Sequence, residues 1–234
     1  MTITHSNLTR AAGVAAAAAG AIFIGVQINH PPAENFLTDT NEWVIRCSAK
    51  LVMAALALVG ITGIYLRQVR QMRVLGLVGF LLFAAGYLLV FSTQVMAALV
   101  LPALTDKTPT FVTDVVIAAE GGNPTGDIGH MQILFNLTGA FYLLGGLIFG
   151  IALFRAGVLA RWAAALLAVS TVGTAALAVL PESFNRPMAV PEGVALIGLG
   201  VSLWRLEGQT NAPDASVPSA RRGGSRATSS ADRA

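Results

Sequence analysis

The sequence predicts an all-α membrane protein, a polytopic bundle of six transmembrane helices with both termini on the cytoplasmic side. Composition is the first observation behind this. The chain of 234 residues is 55% hydrophobic and only 12% charged, whereas a soluble domain carries roughly a quarter charged residues. The second is a succession of apolar runs near the ~20 residues that span a bilayer. The third is the sorting of basic residues between alternate connections. Arg10, Arg67, Arg70, Arg73, Arg155, Arg161, Arg205, Arg221, Arg222, Arg226 and Arg233 fall on one side, against Arg46, Lys50, Lys107 and Arg186 on the other. Cytoplasmic loops hold the excess of Lys and Arg, so this sorting sets the orientation.

The first span is placed at 11–28, stopped by Pro31 and Pro32. Its basic start also resembles a secretory leader, but the apolar run is long and lacks a small-x-small cleavage site, so a retained span is expected. The second covers 44–66, with Asp39 as N-cap and Glu42 three positions on in the manner of a capping box. Glu42, Arg46 and Lys50 follow i, i+4 spacing, which predicts an ion pair to Glu42. The third runs 74–100, ahead of Pro102, and the fourth 131–154. The fifth, 160–180, ends at Pro181. The sixth, 188–204, has Pro191 in its first turn, where proline is tolerated. Residues 1–205 form the bundle. Residues 206–234 form a basic cytoplasmic tail too polar to fold alone. That tail has no aromatic residue and too little basic density for nucleic acid.

Outside the bilayer, the 101–130 connection contains "TPTFVTDVVIAAEGG", a short helix with Phe111, Val112, Val115 and Val116 on one side, lying over the outer face. In the stretch "GDIGHMQILFNLTG" (126–139), Asp127 is the expected N-cap of the fourth span, with His130 as its third residue. Gln132, Asn136, Gly139, Gly146 and Gly150 then make one stripe, and "GLIFG" is a GxxxG packing site. Gly13, Ala17, Ala21 and Gly25 make a similar face on the first span. The "NLT" sequon lies mid-helix, out of a transferase's reach.

Polar residues inside the spans are sparse. Gln94, Asn136, Tyr87 and Tyr142 are the expected lining of a ligand pocket in the outer half. No Asp, Glu, Lys or Arg is expected at the centre of any span, which weighs against a proton-coupled carrier. His30 and His130, with Asp127, lie at the same outer depth and could ligate zinc or a haem, but no HxxxH or HExxH spacing supports them. A single cysteine, Cys47, excludes an intrachain disulfide and a Cys-cluster metal site.

The stretches "GGLIFGIALFRAGVLARWAAALLAV" (145–169), "LTRAAG" (8–13) and "EWVIR" (42–46) resemble a group of uncharacterised bacterial integral membrane proteins of about six spans and unknown function. The resemblance implies topology and carries no catalytic residue. Arginine outnumbers lysine thirteen to two and alanine is abundant, which points to a GC-rich bacterial genome. A location in the cytoplasmic (inner) membrane is therefore expected.

The expected function is non-enzymatic, without a cofactor: binding of a lipid-like ligand or a partner at the outer half of the bundle. The bilayer is the expected partner, together with a second membrane protein or a second copy of the chain. The alternative is an outward-facing metal- or haem-dependent enzyme using His30 and His130. A small-solute transporter comes third.

Overall fold

The computed structural model describes residues 4–176 and 187–210. Among these residues the chain is all-α, with no strand. The helices are α1 (His5–Gly25), α2 (Thr40–Arg67), α3 (Val69–Val95), α4 (Pro109–Ala119), α5 (Met131–Ala156), α6 (Arg161–Ala176) and α7 (Ala189–Thr210). A π-helical turn at Met96–Val100 and a 3₁₀ turn at Leu101–Leu104 carry α3 onward without a break, so the segment Val69–Leu104 is longer than the expected third span. Pro102 sits in the first turn of the 3₁₀ segment, where it lacks no needed donor.

Five segments are long and apolar enough to cross a bilayer: α1, α2, Val69–Leu104, α5 and Ala189–Gly208 of α7. The described part of α6 is apolar but shorter. The expected end of that span at Leu180 lies outside the described residues, as does the tail from residue 211. Only 28 to 44% of the residues in the spans are buried. The remainder, including Val59, Leu81, Leu99 and Leu144, present apolar side chains outward, as lipid-facing helices do. The chain is a multi-span helical membrane protein.

Six helices close into a ring. α1 packs on α2, α2 on α3, α3 on α5, α5 on α6, α6 on α7, and α7 returns to α1. The interior is filled by Ile61, Phe83, Tyr87, Phe149, Leu196 and Leu199. Glycines let neighbouring backbones touch. Gly13 faces Gly200 and Gly20 faces Gly193, seven residues apart on both helices. A Cβ on Gly13 would lie 2.7 Å from the Gly200 carbonyl oxygen, and one on Gly193 would lie 2.8 Å from that of Gly20. No side chain fits at such separations, so association rests on close backbone packing. Gly150 packs on α6 in the same way, its Cβ position 2.7 Å from the Ala168 nitrogen, and Gly146 meets Thr171. Gly79 of α3 lies against the Phe149 backbone, where a Cβ on it would come within 2.5 Å of the Phe149 nitrogen.

Two glycines expected in packing faces do not pack. Nothing lies within 4 Å of a Cβ on Gly25 or Gly139. Gly25 is the last residue of α1, and Gly139 borders open space at the outer end of α5.

At the cytoplasmic end of the expected threading, Arg67 pairs with Glu207, tying α2 to α7. There too Arg10 lies 4.8 Å over the Trp204 ring, tying α1 to α7. The α2–α3 corner turns at Gln68, and Arg73 takes a positive φ of 51° that kinks the start of α3.

Candidate functional site

The opposite end of the ring is roofed. α4 buries Val112, Val115, Val116 and Ala118 against Phe36, Trp43, Cys47, Ala98 and Leu101. Phe111, expected on the same face, is exposed. The loop after α4 folds back onto its buried Asp114. That carboxylate accepts from Thr125 N–H (2.9 Å), Thr125 Oγ1 (3.1 Å) and Gly126 N–H (3.1 Å). A capped loop of this kind holds the roof to the start of α5.

Below the roof, a chain of polar contacts joins α1 to α2. Arg46 donates to the carbonyls of Val26 (2.8 Å), Ile28 (2.9 Å) and Asn29 (3.0 Å), and pairs with Glu42 at 2.5 Å. Carbonyls of the turn that follows α1 are thus satisfied by a guanidinium from the next helix, while Ile22, Ile24 and Gly25 are met by backbone N–H groups. Glu42 is thus engaged by Arg46, and Asp39, although at the N-cap position, makes no side-chain cap bond. Lys50 lies 3.1 Å from His30 Nε2, while His30 Nδ1 is 2.9 Å from the Pro31 carbonyl. A neutral imidazole donating from Nδ1 and accepting at Nε2 fits both contacts. The His30 ring also meets Trp43 edge-on at 4.7 Å.

Between roof and ring lies a cavity of about 540 Å³, bounded by Phe23, Met53, Val90 and Leu143 on its apolar side and by Gln27, Lys50, Gln94, Glu120 and Tyr142 on its polar side. A second space of about 290 Å³ shares Lys50, Val90, Gln94, Glu120, Thr138 and Gly139 with it and continues under α4 to Trp43 and Cys47. Four buried side-chain polar atoms among the described residues lack a hydrogen-bond partner. Three belong to this double cavity: Gln27 Oε1, Gln94 Oε1 and Trp43 Nε1. Buried polar atoms are almost always satisfied, so their concentration here marks a place shaped for polar company.

One wall of the cavity backs onto a carboxylate. Glu192, the fourth residue of α7, is 1% exposed. Its Oε1 accepts from Tyr87 Oη (3.3 Å) and from Tyr142 Oη. The two tyrosine rings meet at 5.4 Å, and Phe83 packs on both. Tyr142 lies eleven residues along α5 from Met131 and fourteen from Ala156, about 16 Å and 21 Å from its ends at 1.5 Å per residue. Glu192 is therefore inside the bundle. This corrects the expectation that no acid lies within a span. In sequence, Glu192 reads as an acid in the first turn of a helix at the outer surface, but α7 begins deep among its neighbours.

Tyr142, Gln94, Gly139 and, behind Tyr142, Tyr87 gather around the cavity and its wall. Asn136 does not join them; it is exposed and accepts from Gln132 Nε2 at 3.1 Å on its own helix. Ser92 and Thr93 likewise bond within α3. α5 starts at Met131 with His130 as its N-cap, one turn later than expected. Asp127 does accept from Gly129 N–H, at 2.8 Å, as its expected capping role implied, but this closes a tight turn and not a helix start, because Gly129, at φ 60°, bends the chain away from a helix. His130 is exposed there. Among the described residues no three of His, Cys, Asp or Glu converge as metal ligands.

Sequence reasoning missed Glu192, Lys50 and Glu120 as parts of one site. Glu192 in an apolar run was the available signal. Comparison with protein-family models, curated proteins and solved structures finds no match to this chain.

Proposed function

We propose that the chain is a non-enzymatic component of the bacterial cytoplasmic membrane that binds a lipid-like amphiphile in the cavity under α4. In this reading it crosses the bilayer six times, α6 included, with both termini and a basic tail inside. The single observation that carries it is the make-up of the cavity wall. Apolar Phe23, Met53, Val90 and Leu143 suit an acyl chain, and Lys50, Gln94 and Glu120 suit a head group. The volume, about 540 Å³, falls within the range of small-ligand pockets. A second copy of the chain or another membrane protein would meet the ring on its lipid-facing side.

The test is native mass spectrometry of the protein released from bacterial lipid nanodiscs. Wild type is expected to retain a lipid. Gly139→Leu, which fills open space at the cavity edge, is expected to lower retention by about tenfold or more, equivalent to ~1.4 kcal/mol. Gly25→Leu is the control, since it too meets no neighbour. Equal retention in all three would refute the reading.

Transport of a small solute is the second reading, favoured by one observation. An ionisable group enclosed within a span, as Glu192 is, is characteristic of ion and proton pathways.

A further inference from the structure

Glu192 is out of proportion to a purely structural role. Two tyrosine hydroxyls could be satisfied by a glutamine amide oxygen at the same place, without an ionisable group inside a lipid-embedded bundle. No basic side chain among the described residues pairs with it. Of the cations on the helices beside α7, Arg10 over Trp204, Arg67 on Glu207 and Arg161 over Phe154 lie toward its other end, and Arg46 of α2 is engaged by Glu42 and by carbonyls of the turn after α1. On α1, Gly20 and Ile24 meet Gly193, the residue next to Glu192. Tyr87 from α3 and Tyr142 from α5 are the titratable groups in contact with the carboxylate. Lys50 and Glu120 stand across the cavity.

The three members of the cluster differ in access. Tyr87 and Glu192 are closed off, at 0% and 1% exposed, whereas Tyr142 is half-buried and lines the cavity. Tyr142 is thus a bridge, a residue of the cavity wall whose hydroxyl also bonds the acid. Tyr87, Phe83 and Phe149 close the other side with apolar packing.

We propose that Glu192 is a proton-binding site that exchanges with the outer cavity through the hydroxyl of Tyr142. In the uptake direction, the ionised carboxylate takes the Tyr142 hydroxyl proton at Oε1, and a hydronium ion in the cavity supplies its replacement to Tyr142 Oη. The net change is one carboxylate and one hydronium converted to one carboxylic acid and one water. Release runs the same steps in reverse. The site is one-sided, and it does not depend on which amphiphile the cavity takes.

Infrared difference spectroscopy of the purified full-length chain in lipid, with no ligand added, tests this. Wild type is expected to show a carboxylic-acid C=O band that rises and falls reversibly with pH and shifts on transfer to heavy water. Glu192→Gln should remove that band, and Glu192→Asp should move it, which guards against loss of the band through misfolding. Tyr142→Phe should slow the heavy-water shift by about tenfold or more, a barrier increase of ~1.4 kcal/mol. Asn136→Ala, on the same helix but exposed and outside the cluster, should leave its rate unchanged. A spectrum with no pH-dependent band removed by Glu192→Gln would overturn the proposal, as would undiminished exchange in Tyr142→Phe. Failure of the lipid-retention experiment would leave this result untouched.

Discussion

Arg46 holds together two helices that the bundle needs at its outer end. Its three bonds to carbonyls of the turn after α1 are charge-assisted, and such bonds contribute roughly 1.5–3 kcal/mol where they are shielded. Its pair with Glu42 is a different matter, because Glu42 is 48% exposed and surface pairs contribute little. Arg46→Ala is therefore expected to lower stability by about 2 kcal/mol in detergent unfolding, and Glu42→Gln by less than about 0.5 kcal/mol. A larger loss for Glu42→Gln would contradict this assignment. The i, i+4 pairing of Glu42 with Arg46 was legible in the sequence because it is local. The contact of Lys50 with His30 was not, since it bridges twenty residues and depends on where α1 ends. Glu192 shows the same limit. Its residue type and helical turn can be read from the chain, but its depth is decided by the helices around it.

Helices were the most legible part of the molecule, since composition alone reveals a run that lipid will solvate. Their faces were less so. α1 carries alanine or glycine on every side between Ala11 and Ala21 except at Val14, so periodicity cannot tell which small residues meet a partner. The structure singles out Gly13 and Gly20, each against a glycine of α7, and leaves Gly25 open. Gly200→Val is expected to force α1 and α7 apart, costing about 1–3 kcal/mol or more. Gly25→Val should stay within about 0.5 kcal/mol of wild type. Thermal unfolding in one detergent, measured for both, separates the two cases. α4 was also legible, from Thr-Pro at its start and glycines at its end. Its place over the outer face was expected too, but not what it covers, because those residues come from the α1–α2 connection, α2 and the segment after α3.

Across the whole molecule, the ion pair of Arg67 with Glu207 and the stacking of Arg10 on Trp204 gather at one end, while Arg46, Lys50 and α4 gather at the other. The threading proposed from charge predicts opposite exposure of these ends. In a Cys47→Ala background, a membrane-impermeant thiol reagent applied to intact cells should label Thr110→Cys and spare Gln71→Cys, both exposed positions in the structure. The reverse pattern would invert the orientation.

The closed ring bears on how the protein is made. Of the described helices α1 leaves the ribosome first and α7 last, yet they pack on each other through Gly13 and Gly200. Until α7 is delivered to the bilayer, one flank of α1 has only lipid beside it, and Tyr87 and Tyr142 lack the acid they later share. Chains generally build from the N-terminus outward during synthesis, so this site comes into being only once α7 is inserted. A nascent chain stalled before residue 189 would carry the cavity's tyrosines, Lys50 and the roof, but no Glu192 for Tyr142 to serve.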